Sequence, residues 1–240
     1  MRKVIFTTVA LICLVTTSLW AGYDFRTNIE LKPILGKLTI QSDTVDVTKI
    51  EIPATILMGY IEASAFFKNL SIKGNIGFTK GQGDTTIITP TQRAVEKKEP
   101  LLLDAPIETP KVMIGGDYKI GTGRLFVGTP ITHENLIFEP GVVCLYSGVA
   151  FNSTGSNNSH SISYSRLEPG VSLYTTANIN NANVGHVFVA YSSRIQEAEV
   201  KLVYFKNNIY GSGGYWFWQS NSEGSRIRIH GPFLSVGVMF

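Results

Sequence analysis

His160, Ser161, Ser163 and Glu168 are the residues of this chain whose types and closeness could support covalent chemistry. A histidine beside a hydroxyl and a carboxylate can activate that hydroxyl as a nucleophile. In an extended strand neighbouring side chains point to opposite faces, so alternation parts His160 from Ser161 and Ser163. A Ser-rich strand end is the plainer reading, with His160, Ser163 and Glu168 retained as the catalytic candidates. His133, His186 and His230 are scattered and lack the spacing of metal ligands. Gly211-Ser212-Gly213-Gly214 opens no helix and therefore reads as a turn, not as a phosphate loop. No cofactor and no metal site is expected, and an enzyme is the less favoured class.

A larger constellation involves charge. Glu30, Lys32, Glu62, Lys73, Asp117, Lys119, Arg124, Glu139, Arg166, Glu168, Glu199 and Lys201 fall on the polar faces of alternating segments, and both signs are present. If those faces are enclosed, the charges must pair, because an unpaired buried charge is costly. They are expected to form one salt-bridged network.

The elements that would position them are strands. Val, Ile, Thr, Tyr and Phe alternate with polar residues from residue 22 onward, and Gly, Asn and Pro punctuate. The period of two predicts strands over 25–39, 50–67, 70–79, 111–131, 135–152, 159–176, 184–195, 198–206, 213–219 and 225–240. Gly121-Thr122-Gly123 is expected to be a bulge that shifts the side-chain faces. Residues 129–136 read as a tight turn, and 81–110 as the longest unpatterned loop. Pro140 and Pro169, in the echoed segments Phe138-Glu139-Pro140-Gly141-Val142 and Leu167-Glu168-Pro169-Gly170-Val171, should sit at strand ends or bulges. Phe66, Phe67 and the run Tyr215-Trp216-Phe217-Trp218 are expected to form interfacial girdles.

The ends and the composition narrow the class. Met1-Arg2-Lys3, an apolar run to Val15 and Ala21 before Gly22 describe a signal peptide over 1–21, leaving one domain over 22–240. A net charge of +3 with dispersed lysines and arginines gives no case for nucleic acid. Beyond residue 21 only Cys144 remains, so no internal disulfide is available. No apolar run after residue 21 is long enough for a spanning helix. A membrane location would therefore require a closed barrel, in which every backbone polar group is paired.

The last stretch alternates cleanly. Leu234, Val236, Val238 and the terminal Phe240 share one face. This resembles the closing strand of bacterial outer-membrane β-barrels, in which the final aromatic is part of the signal read by the barrel-assembly machinery. The segment Pro130-Ile131-Thr132 before a polar pair resembles a periplasmic turn of outer-membrane protein A-like barrels. The resemblance implies an all-β, closed, antiparallel up-and-down transmembrane barrel. The segment count suggests about ten strands, with eight as the alternative. It further implies an outer-membrane location, lipid on the apolar face, the charges in the lumen, and a monomer. The expected role is structural or surface-interacting, with an extracellular ligand at loop 81–110. The alternatives are a narrow porin-like channel for small solutes, a rim-located hydrolase, and a secreted soluble β-sandwich.

Overall fold

The computed structural model describes residues 24–42, 49–67, 69–88, 111–154, 161–222 and 224–240. The proposed signal peptide and His160 lie outside them. The elements are β1 (Asp24–Ser42), β2 (Lys49–Phe67), β3 (Leu70–Ile88), β4 (Lys111–Gly128), β5 (Ile131–His133), β6 (Leu136–Thr154), β7 (Ser161–Asn180), β8 (Asn183–Ser192), β9 (Ile195–Lys206), β10 (Ile209–Ser222) and β11 (Ser225–Met239). Apart from β4 and β5, which do not pair with each other, consecutive strands pair antiparallel, and β1 pairs with β11. β4 and β5 are two parts of one stave that breaks at Thr129-Pro130, and both lie against β6. Ten staves thus close a single barrel, not eight and not a two-sheet sandwich.

The seam is made by the ends of the chain. Phe240 exchanges backbone hydrogen bonds with Thr27, donating at 2.9 Å and accepting at 3.3 Å. At the same end of the barrel lie the two-residue connections at 68–69, 134–135, 181–182 and 207–208; the opposite end carries the connections over 43–48, 89–110 and 155–160 together with two-residue ones at 193–194 and 223–224. Asn207 takes a left-handed backbone with φ of 57°, which asparagine tolerates. Asn180 folds its own turn, its Oδ1 accepting from the backbone N–H groups of Ala182 and Asn183.

Alternation decides the faces. Along β1, Ile29, Leu31 and Leu35 point outward and are half exposed or more, whereas Glu30, Lys32, Ile34, Leu38 and Ile40 point inward and are buried. The same division runs round the barrel, with Leu57, Phe78, Leu125, Val142, Val171, Val200, Leu202 and Leu234 on the outer surface. Such an apolar outer belt round a polar-lined interior is the pattern of a barrel in lipid, the reverse of a soluble core.

The interior is filled partly because tyrosines lie opposite glycines. Tyr60 pairs with Gly77, Tyr118 with Gly81 and Tyr210 with Gly237 across neighbouring strands. A Cβ at Gly77 would lie 2.3 Å from the Tyr60 ring, and equally close approaches occur in the other two pairs. The missing side chain lets each ring lie across the adjoining strand. That frees the barrel centre for other groups.

Several expectations need correction. β4 pairs without a register shift through Gly121, Thr122 and Gly123 on both sides, so there is no bulge. Asp117 and Lys119 consequently stay on the outer face, while Tyr118, Ile120 and Arg124 face inward. β3 runs on to Ile88 in register with Lys111–Tyr118, so residues 81–88 of the expected loop are strand, and the rest of it, 89–110, lies outside the described residues. The turn near 129–136 is tighter than expected, since Ile131–His133 already pairs with Leu136–Phe138. Pro140 and Pro169 sit within continuous pairing to β7 and β6. The Pro140 carbonyl accepts from Thr129 N–H at 3.2 Å, so its missing N–H also faces Thr129, at the break between β4 and β5 where the ladder is already interrupted. Pro169 lies just past the last β7–β8 pair, Gly170 with Ser192.

Candidate functional site

Strand order places charge towards the turn end and apolar bulk towards the loop end. On β1 the inward series is Glu30, Lys32, Ile34, Leu38, Ile40; on β4, in the reverse chain direction, it is Phe126, Arg124, Thr122, Ile120, Tyr118. The interior is therefore a charged layer below an apolar one. Ile34, Leu38, Ile56, Phe188 and Trp216 in this filling are completely buried.

The charged layer is a set of cross-barrel ion pairs. Lys32 Nζ donates to Glu199 Oε2 at 2.5 Å, and Lys201 Nζ lies 3.1 Å from Glu199 Oε1 and 3.9 Å from Glu30 Oε2. Tyr210 OH donates to Glu30 Oε2 at 3.2 Å. Lys73 is bonded to Glu139. Arg124 Nη1 donates to Glu197 Oε1 at 2.7 Å, and Trp216 Nε1 donates to the same oxygen at 3.1 Å. The Asn75 amide oxygen, in the orientation that satisfies both groups, accepts from Arg124 Nε and Nη2 at 2.9 and 3.0 Å. In the Arg124–Glu197 pair the side chains are only 4% and 7% exposed.

Aromatic rings sheath the cations. Lys32 Nζ lies 4.4 Å from the Phe233 centroid and 4.6 Å from that of Tyr60. The Arg124 guanidinium is 4.0 Å from the Phe188 centroid, and Lys73 Nζ is 4.3 Å from that of Tyr174. Cation–π contacts of this kind gain strength when desolvated. They also exclude water from the ion pairs, so each charge depends on its partner.

Of the twelve charges expected in the lumen, Glu30, Lys32, Glu62, Lys73, Arg124, Glu139, Arg166, Glu168, Glu199 and Lys201 point inward; Asp117 and Lys119 do not. Arg166 and Glu168 stand apart towards the loop end, 3.5 Å from each other, where Ser193 Oγ donates to Glu168. Ser161 and Ser163 are exposed on the outer face of β7, the face opposite Glu168. Trp216 and Trp218 point inward and are buried, and Phe66 also faces inward, so none of these three belongs to an interfacial girdle. Glu197 was missing from the expected set, although it shares the phase of Glu199 and Lys201 and could have been found by that alternation.

Below the charged layer, at the turn end, a cavity of about 510 Å³ is lined by residues of all the long strands except β4. Glu62, Asn28, Phe66, Tyr174 and Phe205 are among its walls.

No protein-family model matches the chain, and no curated protein matches it by sequence. Among solved structures it is similar to the outer membrane protease OmpT of Escherichia coli, at 11% identity over 90% of this chain and 96% of that one, with a TM-score of 0.54. The chain has the fold of a bacterial outer-membrane β-barrel. Its apolar outer belt suits that membrane, and the sheet closes within one chain. It is also aligned with Ail, the attachment invasion locus protein of Yersinia pestis, at 10% identity over 90% of this chain and 99% of that one, with a TM-score of 0.41. Identities this low speak to fold alone.

Proposed function

We propose that the chain is a monomeric, non-conducting outer-membrane barrel that holds its extracellular connections, chiefly the one over residues 89–110, for contact with a partner outside the cell. One observation carries this function: the lumen is packed with buried side chains at mid-height. An open aqueous channel is a property of much wider barrels. Here Trp216, Phe188, Ile34 and Ile56 are without exposed surface, and ion pairs lie directly beneath them. That packing weighs against a solute channel.

The β3–β4 hairpin supports the choice of loop. Its outward residues are apolar up to Phe78 and then become Lys80 and Gln82, facing Lys119 and Asp117 on β4. The hairpin therefore continues as paired strand past the apolar belt, a stiff base for residues 89–110. The outward row Leu234, Val236, Val238 and Phe240 is exposed next to the seam, the place where an assembly machinery would read it.

Planar-bilayer recording tests the closed lumen: the expected result is no stable channel conductance. Large steady openings would overturn it. Replacing residues 89–110 by a short turn should leave a folded barrel whose cells lose surface binding; unchanged binding would remove this loop from the proposal.

A further inference from the structure

The outer wall of the barrel changes character along β11. The outward residues Pro232, Leu234, Val236, Val238 and Phe240 are apolar and span nine positions. A strand crosses the hydrocarbon with about 9–11 residues. Beyond that stretch, on the same face, come His230, Arg228 and Arg226. They approach the end that carries the connections over 43–48, 89–110 and 155–160, the extracellular end of such a barrel. These three groups therefore stand at the level of the outer leaflet's headgroups.

Their surroundings leave positive charge unspent. Arg228 Nε and Nη2 donate to Gln219 Oε1 at 3.1 and 2.8 Å, and the guanidinium lies 5.8 Å from the Phe217 centroid. A neutral amide thus orients the guanidinium without compensating it, and three of its five N–H donors remain. Arg226 is exposed and forms no ion pair among the described residues. Residues two apart on a strand lie about 7 Å from each other on one face, so both guanidinium groups can reach a single phosphate. His230 Nδ1 lies 2.9 Å from Tyr215 OH, and in either tautomer this pair keeps one further hydrogen to donate. Lys37, the cross-strand partner of His230, is a further cation with contacts of its own. Among the described outward side chains of β1, β10 and β11 none is acidic.

A groove runs down the wall from this cluster. On β10 the outward residues below Tyr215 are Gly213 and Gly211. Gly213 lies between Leu202 of β9 and Leu234 of β11, and Gly211 between Tyr204 and Val236. All four flanking side chains are more than half exposed. A Cβ at Gly211 would meet only the Ser235 carbonyl oxygen, at 3.8 Å. The floor is thus bare backbone between two apolar walls. The Tyr215 hydroxyl bonds to His230, so its ring leans towards β11 at the head of the groove.

We propose that this wall holds one phosphorylated lipid of the outer leaflet, its phosphate clasped by Arg226 and Arg228 and an acyl chain lying in the groove floored by Gly213 and Gly211. Guanidinium donors match the oxygens of a phosphate in geometry and charge. The apolar groove directly beneath explains why the anion should carry a chain. A zwitterionic headgroup brings its own cation to the arginines and is the poorer fit. The site lies on the lipid-facing wall and is independent of what residues 89–110 contact.

Native mass spectrometry of the refolded full-length barrel, released from detergent micelles, tests this by counting retained lipids. The probes are 1-palmitoyl-2-oleoyl phosphatidic acid, the phosphatidylcholine with the same chains, and chainless sn-glycerol 3-phosphate. One phosphatidic acid per barrel is expected, held at least about tenfold more tightly than phosphatidylcholine, with no retention of glycerol 3-phosphate at the same concentration. Arg226→Gln/Arg228→Gln should bring the two lipids to within about twofold of each other. Lys80→Gln/Lys119→Gln, which removes two outward cations from another part of the wall, should leave the preference unchanged. Gly213→Leu, which fills the groove and spares the arginines, should weaken phosphatidic acid severalfold. Equal retention of the two lipids, equal retention of glycerol 3-phosphate, or an equal loss in the Lys80/Lys119 variant would each overturn the proposal, as would an unaltered arginine variant or an unaltered Gly213→Leu barrel. Should a variant fail to fold, the three probes on the unmodified barrel decide alone.

Discussion

Arg124→Met is the substitution that most severely tests the filled lumen. The Arg124 guanidinium bonds Glu197 and the Asn75 amide oxygen and packs over Phe188, in a pair that is 4% and 7% exposed. Methionine keeps most of the bulk but removes the charge and all the donors. Glu197 is then left with Trp216 Nε1 alone. Removing one partner of a buried pair costs about 3–5 kcal/mol, most of it the penalty of stranding the other charge. A matched second change should recover much of this. In Arg124→Met/Glu197→Gln no charge remains, and the glutamine oxygen still accepts from Trp216. The double variant should return to within about 1–2 kcal/mol of the parent, because exchanging a whole buried pair for neutral groups is often close to neutral. The coupling energy of the cycle should be about 2 kcal/mol or more. Equilibrium urea unfolding in lipid vesicles reads these values, with buried Trp216 and Trp218 as the fluorescent reporters. A loss under about 1 kcal/mol for Arg124→Met would match an exposed pair and refute the enclosure of the lumen. A double variant as unstable as the single one would refute the pairing.

Three further outcomes follow from the two faces of the sheet. Val200→Arg puts a charge into the apolar belt and should cost about 2–4 kcal/mol in the same unfolding assay, whereas Lys119→Leu, past the belt, should stay within about 0.5 kcal/mol. Gly77→Ala should cost about 1–3 kcal/mol, since its Cβ would meet the Tyr60 ring at 2.3 Å; Gly59→Ala, with nothing within 4 Å, should be nearly neutral. Deleting Phe240 should sharply reduce the heat-modifiable, assembled form recovered from cell envelopes; undiminished assembly would remove Phe240 from the assembly signal.

Within the lipid-facing part of each strand, the sequence was a sound guide. There one face must be apolar and the other polar, so Ile29, Leu31 and Leu35 against Glu30 and Lys32 reveal strand and face together. Past the belt that constraint lapses. Both faces of β3 beyond Phe78 tolerate polar residues, which is why its continuation to Ile88 looked like loop. The outward placement of Asp117 and Lys119 has the same cause: in a strand leaving the membrane, an outward charge needs no bulge to explain it. Trp216 and Trp218 alternate with Tyr215 and Phe217, so an all-aromatic run hides which pair is enclosed. Pairing was beyond reach for another reason. Lys32 meets Glu199 across the barrel, 167 residues away in sequence, and alternation can state the face of a charge but not its partner. The cavity at the turn end depends on where side chains of nine strands stop, which no local pattern encodes.

The most direct measurement of the whole account is a nitroxide accessibility scan along β1. Single cysteines are placed at residues 29 to 35 in a Cys144→Ser background, labelled, and the barrel is reconstituted in lipid. Collision with oxygen dissolved in the bilayer should be high at 29, 31 and 35 and low at 30, 32 and 34, a period of two in phase with the apolar residues. The opposite phase, or accessibility that does not alternate, would mean that the charges do not face the inside of a lipid-embedded barrel.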